Sequence, residues 1–361
     1  MTAALEATLD ALGSHRVLEP AGALPQNAWK LDNTPVAYAN EILCDVDALC
    51  IDSASFKQIS DACGGDVQRI GAHIKQTVAE RGKQHNPVTG SGGMFVGRVA
   101  QIGERLASKI DLEPGTRIAS LVSLTLTPLH IDEITNVMPE SARICVRGKA
   151  ILFERGLWAK LPSDIETDVA LAVLDVAGAP AQVRRMADPG SSVAVIGADG
   201  KSGILACAQA KSRVGQSGHV VGIVPDAATE GARLLVQERF VDHLIEADAR
   251  DICKVNDLIL QTLPELADLT VNCVNVPGTE LTSILCTKDH GTVYFFSMCT
   301  SFTAAALGAE GVGKDVTMIV GNGYAKGHSD VALQTLRDHP VIHDYFRRRY
   351  GSPKPKKETL C

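Results

Sequence analysis

Three glycines with a regular spacing carry the clearest chemical signal in the sequence. Gly197, Gly200 and Gly203 lie between an apolar, β-branched run at residues 193–196 and a helical pattern that continues to residue 213. In a strand–loop–helix unit such glycines permit a tight turn, close approach of the backbone to a diphosphate, and close packing of helix on strand. The helix N-terminus adds free N–H groups and a positive dipole end. The sequence therefore predicts a dinucleotide site, and the loop residues assigned to it are Gly197, Asp199, Gly200, Lys201, Ser202 and Gly203.

The choice between NAD and NADP depends on a residue about 20 positions further on, at the end of the next strand. An acidic residue there binds the adenosine ribose and disfavours a 2′-phosphate. That place falls on Val224, with Asp226 two residues later and Arg233 as a candidate phosphate partner or a solvated charge. The missing acid favours NADP or dual use, whereas Asp226 keeps NAD open, so the sequence predicts NAD(P) and leaves the preference undecided.

Polar residues also follow the later apolar runs of this half. Asn275 comes after one run, and Ser297 and Thr300 come after the next. Ligands of open α/β sheets bind at the carboxyl ends of the strands, so we expect these three residues to contact the ribose or the carboxamide of the dinucleotide. Cys299 lies among them, but no partner base is identifiable, and a nucleophilic role is rejected.

Alternating strands and helices after residue 163 must position these residues. Six apolar runs separated by helical patterns predict a doubly wound, six-stranded parallel sheet with strands at residues 192–197, 219–224, 243–247, 269–276, 292–298 and 316–321. Before residue 163, short β-rich runs punctuated by Gly and Pro predict a partly open β-barrel or an antiparallel sheet, with strands at residues 41–47, 94–99 and 117–122.

Three segments follow from these patterns. We expect a β-rich catalytic domain at residues 1–163, completed by about residues 322–350, and a dinucleotide-binding domain at residues 164–321. Residues 351–361 are polar and interrupted by proline, so they predict a loose C-terminal tail.

Charge and hydropathy exclude several classes of partner. The formal net charge of −7 argues against nucleic acid as the main partner, because such binding depends on clustered Lys and Arg. No apolar run reaches the roughly 18 residues of a membrane span. The N-terminus lacks a basic region followed by an apolar block, so a secretory signal is not expected. Together with ten scattered cysteines, which fit free thiols in a reducing cytosol, these features predict a cytoplasmic protein with neither nucleic acid nor membrane as its partner.

The order of domains is similar to the medium-chain dehydrogenase/reductase superfamily over about residues 35–335. The segment Asn86–Val99 looks like the one that carries a His-Glu pair for the metal in zinc-dependent members. Ser91 and Gly92 occupy those two places here, and Cys50, near the first metal-ligand cysteine, has no ligand partners left. The resemblance is therefore to the zinc-free branch, and it implies a GroES-like catalytic domain, a Rossmann domain, no metal and a homodimer paired through the sixth strand.

Other segments resemble a more specific family. They are Arg16–Pro20 with Leu24–Asn33, Leu49–Ile59 and Gly321–Asp330. Together they are similar to the L-erythro-3,5-diaminohexanoate dehydrogenases of lysine fermentation. That resemblance implies NAD(P)-dependent oxidative deamination at carbon 3, which gives 5-amino-3-oxohexanoate and ammonia. Two other functions remain open: a zinc-free quinone or enoyl reductase, and a non-catalytic dinucleotide-binding regulator.

Oxidative deamination needs a proton acceptor for the amine and charges that hold a diamino acid. Asp52 and Ser53 occupy the stretch that faces the nicotinamide in the superfamily. Asp52 is the first candidate for amine binding or proton transfer, and a helix N-cap is its structural alternative. In the predicted polar loop 127–133, His130 is a candidate proton relay or a plain surface or core histidine. Glu133 is a candidate for the second ammonium.

Overall fold

The computed structural model describes residues 9–87, 90, 92–321 and 323–351. These residues form two compact units that meet in sequence at the bond between Ser163 and Asp164. Within the described residues, no helix combines the length and the apolar character needed to cross a membrane.

The first unit is built on an antiparallel six-stranded sheet with the order β6-β7-β3-β4-β5-β8, and a small antiparallel pair, β1-β2, precedes it. The antiparallel sheet predicted from the sequence is confirmed. The strands are β1 (Val17–Glu19), β2 (Lys30–Leu31), β3 (Glu41–Cys50), β4 (Met94–Ile102), β5 (Arg117–Ser120), β6 (Leu129–Met138), β7 (Arg143–Phe153) and β8 (Trp158–Lys160).

Two helices lie between β3 and β4, and their ends follow from local chemistry. Helix α1 spans Ser53–Cys63 and helix α2 spans Val67–Arg81. Asp52 and Asp66 cap their N-termini by accepting hydrogen bonds from backbone N–H groups of the first turns. Helix α2 buries Ile70, Ile74 and Val78, which recur every four residues and so form one apolar face.

The prediction of a loop at residues 127–133 is wrong, because most of this segment belongs to β6. Leu129 and Ile131 are buried, whereas Asp132 and Glu133 are exposed and His130 is partly exposed. Apolar residues at every second position are the signature of a half-buried strand. The polar residues between them had suggested a loop.

The second unit is a doubly wound sheet of six parallel strands, in the order β11-β10-β9-β12-β13-β14, as the sequence predicted. The order reverses between β9 and β12, so the loops after these two strands border a crevice of the kind where such sheets bind ligands. The strands are β9 (Ser192–Ile196), β10 (His219–Val224), β11 (His243–Glu246), β12 (Ala267–Asn272), β13 (Thr287–Phe295) and β14 (Thr317–Val320).

Helices cover this sheet. They are α3 (Thr167–Leu174), α4 (Gly178–Met186), α5 (Lys201–Val214), α6 (Glu230–Gln237), α7 (Ile252–Thr262), α8 (Glu280–Leu285), α9 (Phe302–Val312), α10 (His328–Asp338) and α11 (Pro340–Tyr350).

The last two helices correct a domain prediction. Helices α10 and α11 do not complete the first unit; they belong to the second, where α10 packs on α3, α4 and α5. The amide of Gln209 on α5 donates to the hydroxyl of Thr335 on α10 over 2.9 Å, and Leu336, Ile342 and Phe346 are buried. Their apolar faces therefore stabilise the second unit. The predicted tail lies outside the described residues beyond Gly351.

Candidate functional site

Glycine serves different structural purposes at the three positions of the loop after β9. Gly197 has φ +76°, and a Cβ there would lie 2.9 Å from Cγ2 of Val274. A Cβ on Gly203 would lie 2.2 Å from the carbonyl oxygen of Gly197. At Gly200, by contrast, the nearest atom to a Cβ is that same oxygen at 3.6 Å. Gly197 and Gly203 therefore serve packing within the protein, whereas Gly200 keeps open the space in front of the loop.

The N-terminus of α5 faces that space without a side-chain cap. Gly200 is the N-cap residue, and it offers no side-chain acceptor to the first N–H groups of the helix. Free N–H groups, the positive end of the helix dipole and an unfilled approach together fit the diphosphate of a dinucleotide. This part of the structure thus fits the predicted cofactor.

Charged side chains of the loop have partners inside the second unit. The ammonium of Lys201 lies 2.7 Å from Oδ2 of Asp175. Asp199 accepts a hydrogen bond of 3.0 Å from the hydroxyl of Thr229, which caps α6. Ser202 is buried in the first turn of α5. Lys201 is the first residue of α5, and its ammonium is therefore positioned by Asp175.

The end of β10 is apolar but bordered by carboxylates. The apolar side chain of Val224 is only 1% exposed, so it cannot hydrogen-bond to a ribose hydroxyl. Asp226 is exposed and accepts a hydrogen bond of 2.7 Å from the N–H of Ala228. Glu246, the β11 partner of Val224, accepts one of 3.2 Å from the N–H of Ala227. Two carboxylates therefore border this loop. The arginine of α6, which the sequence offered as a candidate phosphate partner, is exposed.

The polar residues predicted after β12 and β13 lie together. The thiol of Cys299 donates to Oδ1 of Asn275 over 3.2 Å, and the N–H of Cys299 donates to the hydroxyl oxygen of Ser297 over 3.1 Å. The hydroxyl of Thr300 donates to the carbonyl of Ser297 over 2.9 Å. Because β12 neighbours β9 in the sheet, this group and the glycine loop lie on the same carboxyl edge.

In the first unit, Asp52 both caps a helix and keeps one oxygen unused. Its Oδ1 accepts a hydrogen bond of 2.9 Å from the N–H of Ser55, whereas its Oδ2 is buried and has no hydrogen-bond partner in the described part of the structure. Ser53 is the first residue of α1, and its side chain lies outside the described part of the structure. The two interpretations of Asp52, cap and ligand for an amine, are therefore compatible.

The structure does not bring His130 and Glu133 to Asp52. His130 lies opposite Lys149 in β7, and Lys149 lies opposite Asp45 in β3. Asp45 is five residues before the end of β3, which is roughly 17 Å along the strand at about 3.4 Å per residue. Both side chains are substantially exposed; His130 lies 3.2 Å from an oxygen of Asp132, and Glu133 forms an ion pair with an arginine of β7.

The polar residues 83–86, just after α2, were not predicted from the sequence to belong to a site. Lys83 and Gln84 are buried. Neither the carbonyl oxygen of the Gln84 side chain nor Nδ1 of His85 has a hydrogen-bond partner among the residues that the structure describes. Burial, reinforced by the neighbouring Arg81 and Lys83, lowers the pKa of His85 to about 4, so its ring is neutral at physiological pH. Four consecutive polar residues, 83–86, between a helix and a proline were the available signal.

Backbone atoms crowd Gly92, which stands where zinc-dependent members of the superfamily carry the glutamate of the metal-binding pair. A Cβ on Gly92 would lie 2.5 Å from the carbonyl oxygen of Gln84, so no larger side chain fits there without a shift. Ser91, the other residue of the pair, lies outside the described residues. Within residues 9–87, 90, 92–321 and 323–351, no group of three or more His, Cys, Asp or Glu side chains is placed to hold a metal ion.

An antiparallel β-rich unit followed by a six-stranded parallel sheet with a glycine loop places the chain in a class of two-unit α/β proteins that includes solved quinone oxidoreductases. The solved quinone oxidoreductase from Coxiella burnetii shares this fold, with a TM-score of 0.52 and 15% sequence identity over 84% of this chain and 81% of that one. At this identity, the similarity concerns the fold alone.

Sequence comparison then identifies the family. The model of the L-erythro-3,5-diaminohexanoate dehydrogenase N-terminal domain matches residues 15–162. The L-erythro-3,5-diaminohexanoate dehydrogenase of Acetoanaerobium sticklandii is 52% identical over 339 residues, and that of Fusobacterium nucleatum subsp. nucleatum is 51% identical; each match covers 94% of this chain and 98% of the relative. The chain belongs to the L-erythro-3,5-diaminohexanoate dehydrogenase family, which confirms the resemblance seen in its sequence.

Proposed function

We propose that the protein is a cytoplasmic, NAD(P)-dependent dehydrogenase of lysine fermentation that oxidatively deaminates L-erythro-3,5-diaminohexanoate. The observation that carries the proposal is identity above 50% to dehydrogenases of that name over 94% of the chain. In the reaction, carbon 3 gives a hydride to the oxidised cofactor, and water replaces the nitrogen. The products are 5-amino-3-oxohexanoate, ammonium, the reduced cofactor and a proton.

The second unit supplies the residues for the dinucleotide, whose chemical contribution is to accept the hydride. The free N–H groups at the start of α5 and the ammonium of Lys201 would hold the diphosphate beside Gly200. Asn275, Ser297 and Thr300, in the loops after β12 and β13, would bind the ribose or the carboxamide.

The carboxylates beside β10 favour NAD over NADP. Asp226 and Glu246 border the loop where the adenosine ribose is expected, and a 2′-phosphate there meets like charge. The buried Val224 neither helps nor hinders either cofactor. This proposal reverses the preference that Val224 alone suggested from the sequence.

The first unit supplies the charge that a diamino acid requires. The substrate carries two ammonium groups and one carboxylate, so its site needs at least one anionic acceptor. Asp52 has a carboxylate oxygen that is buried and unused, which supports a role in amine binding or proton transfer. His130 and Glu133 lie elsewhere on the sheet, and we leave them out of the proposed site.

The chemistry proceeds without zinc in this proposal. Gly92, which stands where zinc-dependent relatives carry a glutamate, is packed against backbone. Elemental analysis of the active protein is expected to return no stoichiometric zinc. Stoichiometric zinc whose removal abolishes turnover would overturn this part of the proposal.

We also propose that two copies pair through the edge of the parallel sheet. Strand β14 is one of the two edge strands of the parallel sheet. Large apolar side chains between the end of β13 and the end of β14 are exposed: Met298 by 86%, Phe302 by 76%, and Leu307 and Val320 by 62% each. Unpaired strand edges and apolar patches are features of protein interfaces. Light scattering should give the mass of a dimer, and Phe302→Lys should weaken it; a wild-type monomer at micromolar concentration would refute the pairing.

The turnover experiment separates the proposed function from its alternatives. Purified protein is mixed with the diamino acid and NAD or NADP, and formation of the reduced cofactor is followed by absorbance. Steady reduction supports the proposal. Oxidation of NAD(P)H by a quinone or an enoyl thioester, with no activity on the amine, indicates a reductase. Cofactor binding without any turnover indicates a regulator.

A further inference from the structure

Among the described residues, three buried acceptor atoms of the first unit have no hydrogen-bond partner, and they lie in two neighbouring segments. They are Oδ2 of Asp52, Oε1 of Gln84 and Nδ1 of His85. The Gln84 side chain is only 1% exposed, so water does not solvate it as it would a surface amide. A buried polar atom without a partner costs free energy, so a bound water or a ligand is needed to satisfy it.

The two segments are packed backbone against backbone. A Cβ on Gly93 would lie 2.1 Å from the carbonyl oxygen of Cys50, just before Asp52. A Cβ on Gly92 would lie 2.5 Å from the carbonyl oxygen of Gln84. Gly92 and Gly93 therefore contact the polar run on one side and the residues just before Asp52 on the other.

A side-chain contact joins the same two segments. The amide of Asn86 donates to Oε1 of Gln58 on α1 over 2.8 Å. Because Asn86 follows His85 directly, this bond fixes the polar run against the helix that Asp52 caps. The three acceptors thus lie on two segments that contact each other through Gly92, Gly93 and Asn86. We name Asp52, Gln84 and His85 the acceptor cluster.

The cations near the acceptor cluster are used elsewhere. The ammonium of Lys83 donates to the carbonyl oxygens of Pro25 and Gln26, over 2.7 and 3.2 Å. The guanidinium of Arg81 donates to the carbonyl oxygen of Trp29 and stacks over the Trp29 ring. The carboxylate of Asp52 is therefore not neutralised by these groups, and it remains available to a cation from outside.

An ammonium group matches what the acceptor cluster offers. It has three N–H donors and one positive charge, and the cluster has three unused acceptors and one carboxylate. The neutral His85 ring accepts through Nδ1 when its proton is on Nε2. A carboxylate ligand would instead be repelled by Asp52 and would find acceptors where it needs donors.

We propose that the acceptor cluster binds the non-reacting ammonium of the substrate, at carbon 5, and thereby selects diamino over monoamino acids. This inference rests on the proposed function and specifies its substrate contacts. The nitrogen at carbon 3 must lose its proton before the hydride leaves, so a site built to keep an ammonium charged would oppose the reaction there. The nitrogen at carbon 5 keeps its charge throughout.

The test compares two substrates that differ only in that ammonium: 3,5-diaminohexanoate and 3-aminohexanoate. The measured quantity is the selectivity ratio, kcat/KM for the first over kcat/KM for the second. Gln84→Met and His85→Phe should each lower this ratio by about 10- to 100-fold, the range for losing one hydrogen bond to a charged group. His85→Gln retains an acceptor and should restore most of it. Gln76→Met, on the exposed face of α2, is the matched control and should leave the ratio unchanged.

A purely structural role would lower turnover of both substrates equally and leave the ratio unchanged, which would overturn the proposal. If Gln84→Met does not fold, Gln84→Glu adds a second carboxylate and should raise the ratio; an unchanged ratio there would also overturn it. If the wild type binds the diamino acid without oxidising it, the proposed reaction fails, and the same ratio is read from dissociation constants. A wild type that does not discriminate between the two acids overturns the inference even when it oxidises both.

Discussion

Replacing Gly200 with alanine tests whether the open space before α5 is a cofactor site. Gly200 has φ −80° and ψ 171°, which alanine adopts without strain, and its Cβ would be 3.6 Å from the nearest atom. The loss of folding stability should therefore be at most about 1 kcal/mol, the cost of a poorer N-cap. The methyl group would instead fill the path of the diphosphate. Overpacking of a close contact costs about 1–3 kcal/mol, or roughly 5- to 150-fold in the Kd for NADH.

Two other glycines provide matched comparisons. Gly203→Ala places its Cβ 2.2 Å from backbone, so it should destabilise the fold by about 1–3 kcal/mol. Gly311→Ala, within α9 and with open space around its Cβ, should stabilise the helix by about 0.5–1 kcal/mol and leave binding unchanged.

The assay is a fluorescence titration with NADH, paired with thermal unfolding of each variant. The expected pattern is that Gly200→Ala weakens binding at nearly constant Tm, whereas Gly203→Ala lowers Tm. If Gly200→Ala binds NADH as tightly as the wild type, the space beside Gly200 is not the diphosphate site and the reasoning fails.

Three further predictions follow from particular side chains. Asp52→Asn preserves the helix cap, because Asn caps as well as Asp, but it removes the negative charge. We expect kcat/KM to fall at least about tenfold with little change in Tm. An unchanged kcat/KM would exclude Asp52 from amine binding and proton transfer. Burial raises the pKa of Glu41, but hydrogen bonds from His15 and Arg16 outweigh it, so the pKa lies below its ordinary 4.5. The contribution of ionised Glu41 to the free energy of unfolding is therefore complete above pH 4.5 and is lost as the pH falls through the lowered pKa. Acid should destabilise Glu41→Gln less than the wild type. Equal loss of stability in acid for both proteins, measured by urea unfolding, would contradict this. Asp226→Ser should raise kcat/KM for NADP relative to NAD by about tenfold, because removing one nearby like charge is worth about 1.4 kcal/mol; a constant ratio would argue against charge as the basis of the preference.

Local patterns were sufficient to predict the second unit. The runs around β9 to β14 are apolar on both faces and separated by helices, so a buried parallel sheet followed directly. Strand ends were less predictable. The fourth strand was expected to reach Val276, but it ends at Asn272, whose side chain accepts a hydrogen bond of 3.0 Å from the N–H of Val274 and so turns the chain.

The first unit shows where local patterns fail. The acceptor cluster was only partly anticipated, because the burial of Gln84 and the unused atom of His85 depend on packing against segments far away in sequence. His130 was grouped with Asp52 by chemical type, and only the register of β6, β7 and β3 separates them. The helices after residue 327 carry ordinary amphipathic patterns, which do not specify the unit that they cover.

Oxidation of L-erythro-3,5-diaminohexanoate by the purified protein, with NAD and without added metal, is the most direct test of the proposed function. Reduced cofactor and ammonia should form in equal amounts, and reduction should stop when the amine is exhausted. Protein that binds NADH yet forms neither product with NAD or with NADP would contradict the proposal.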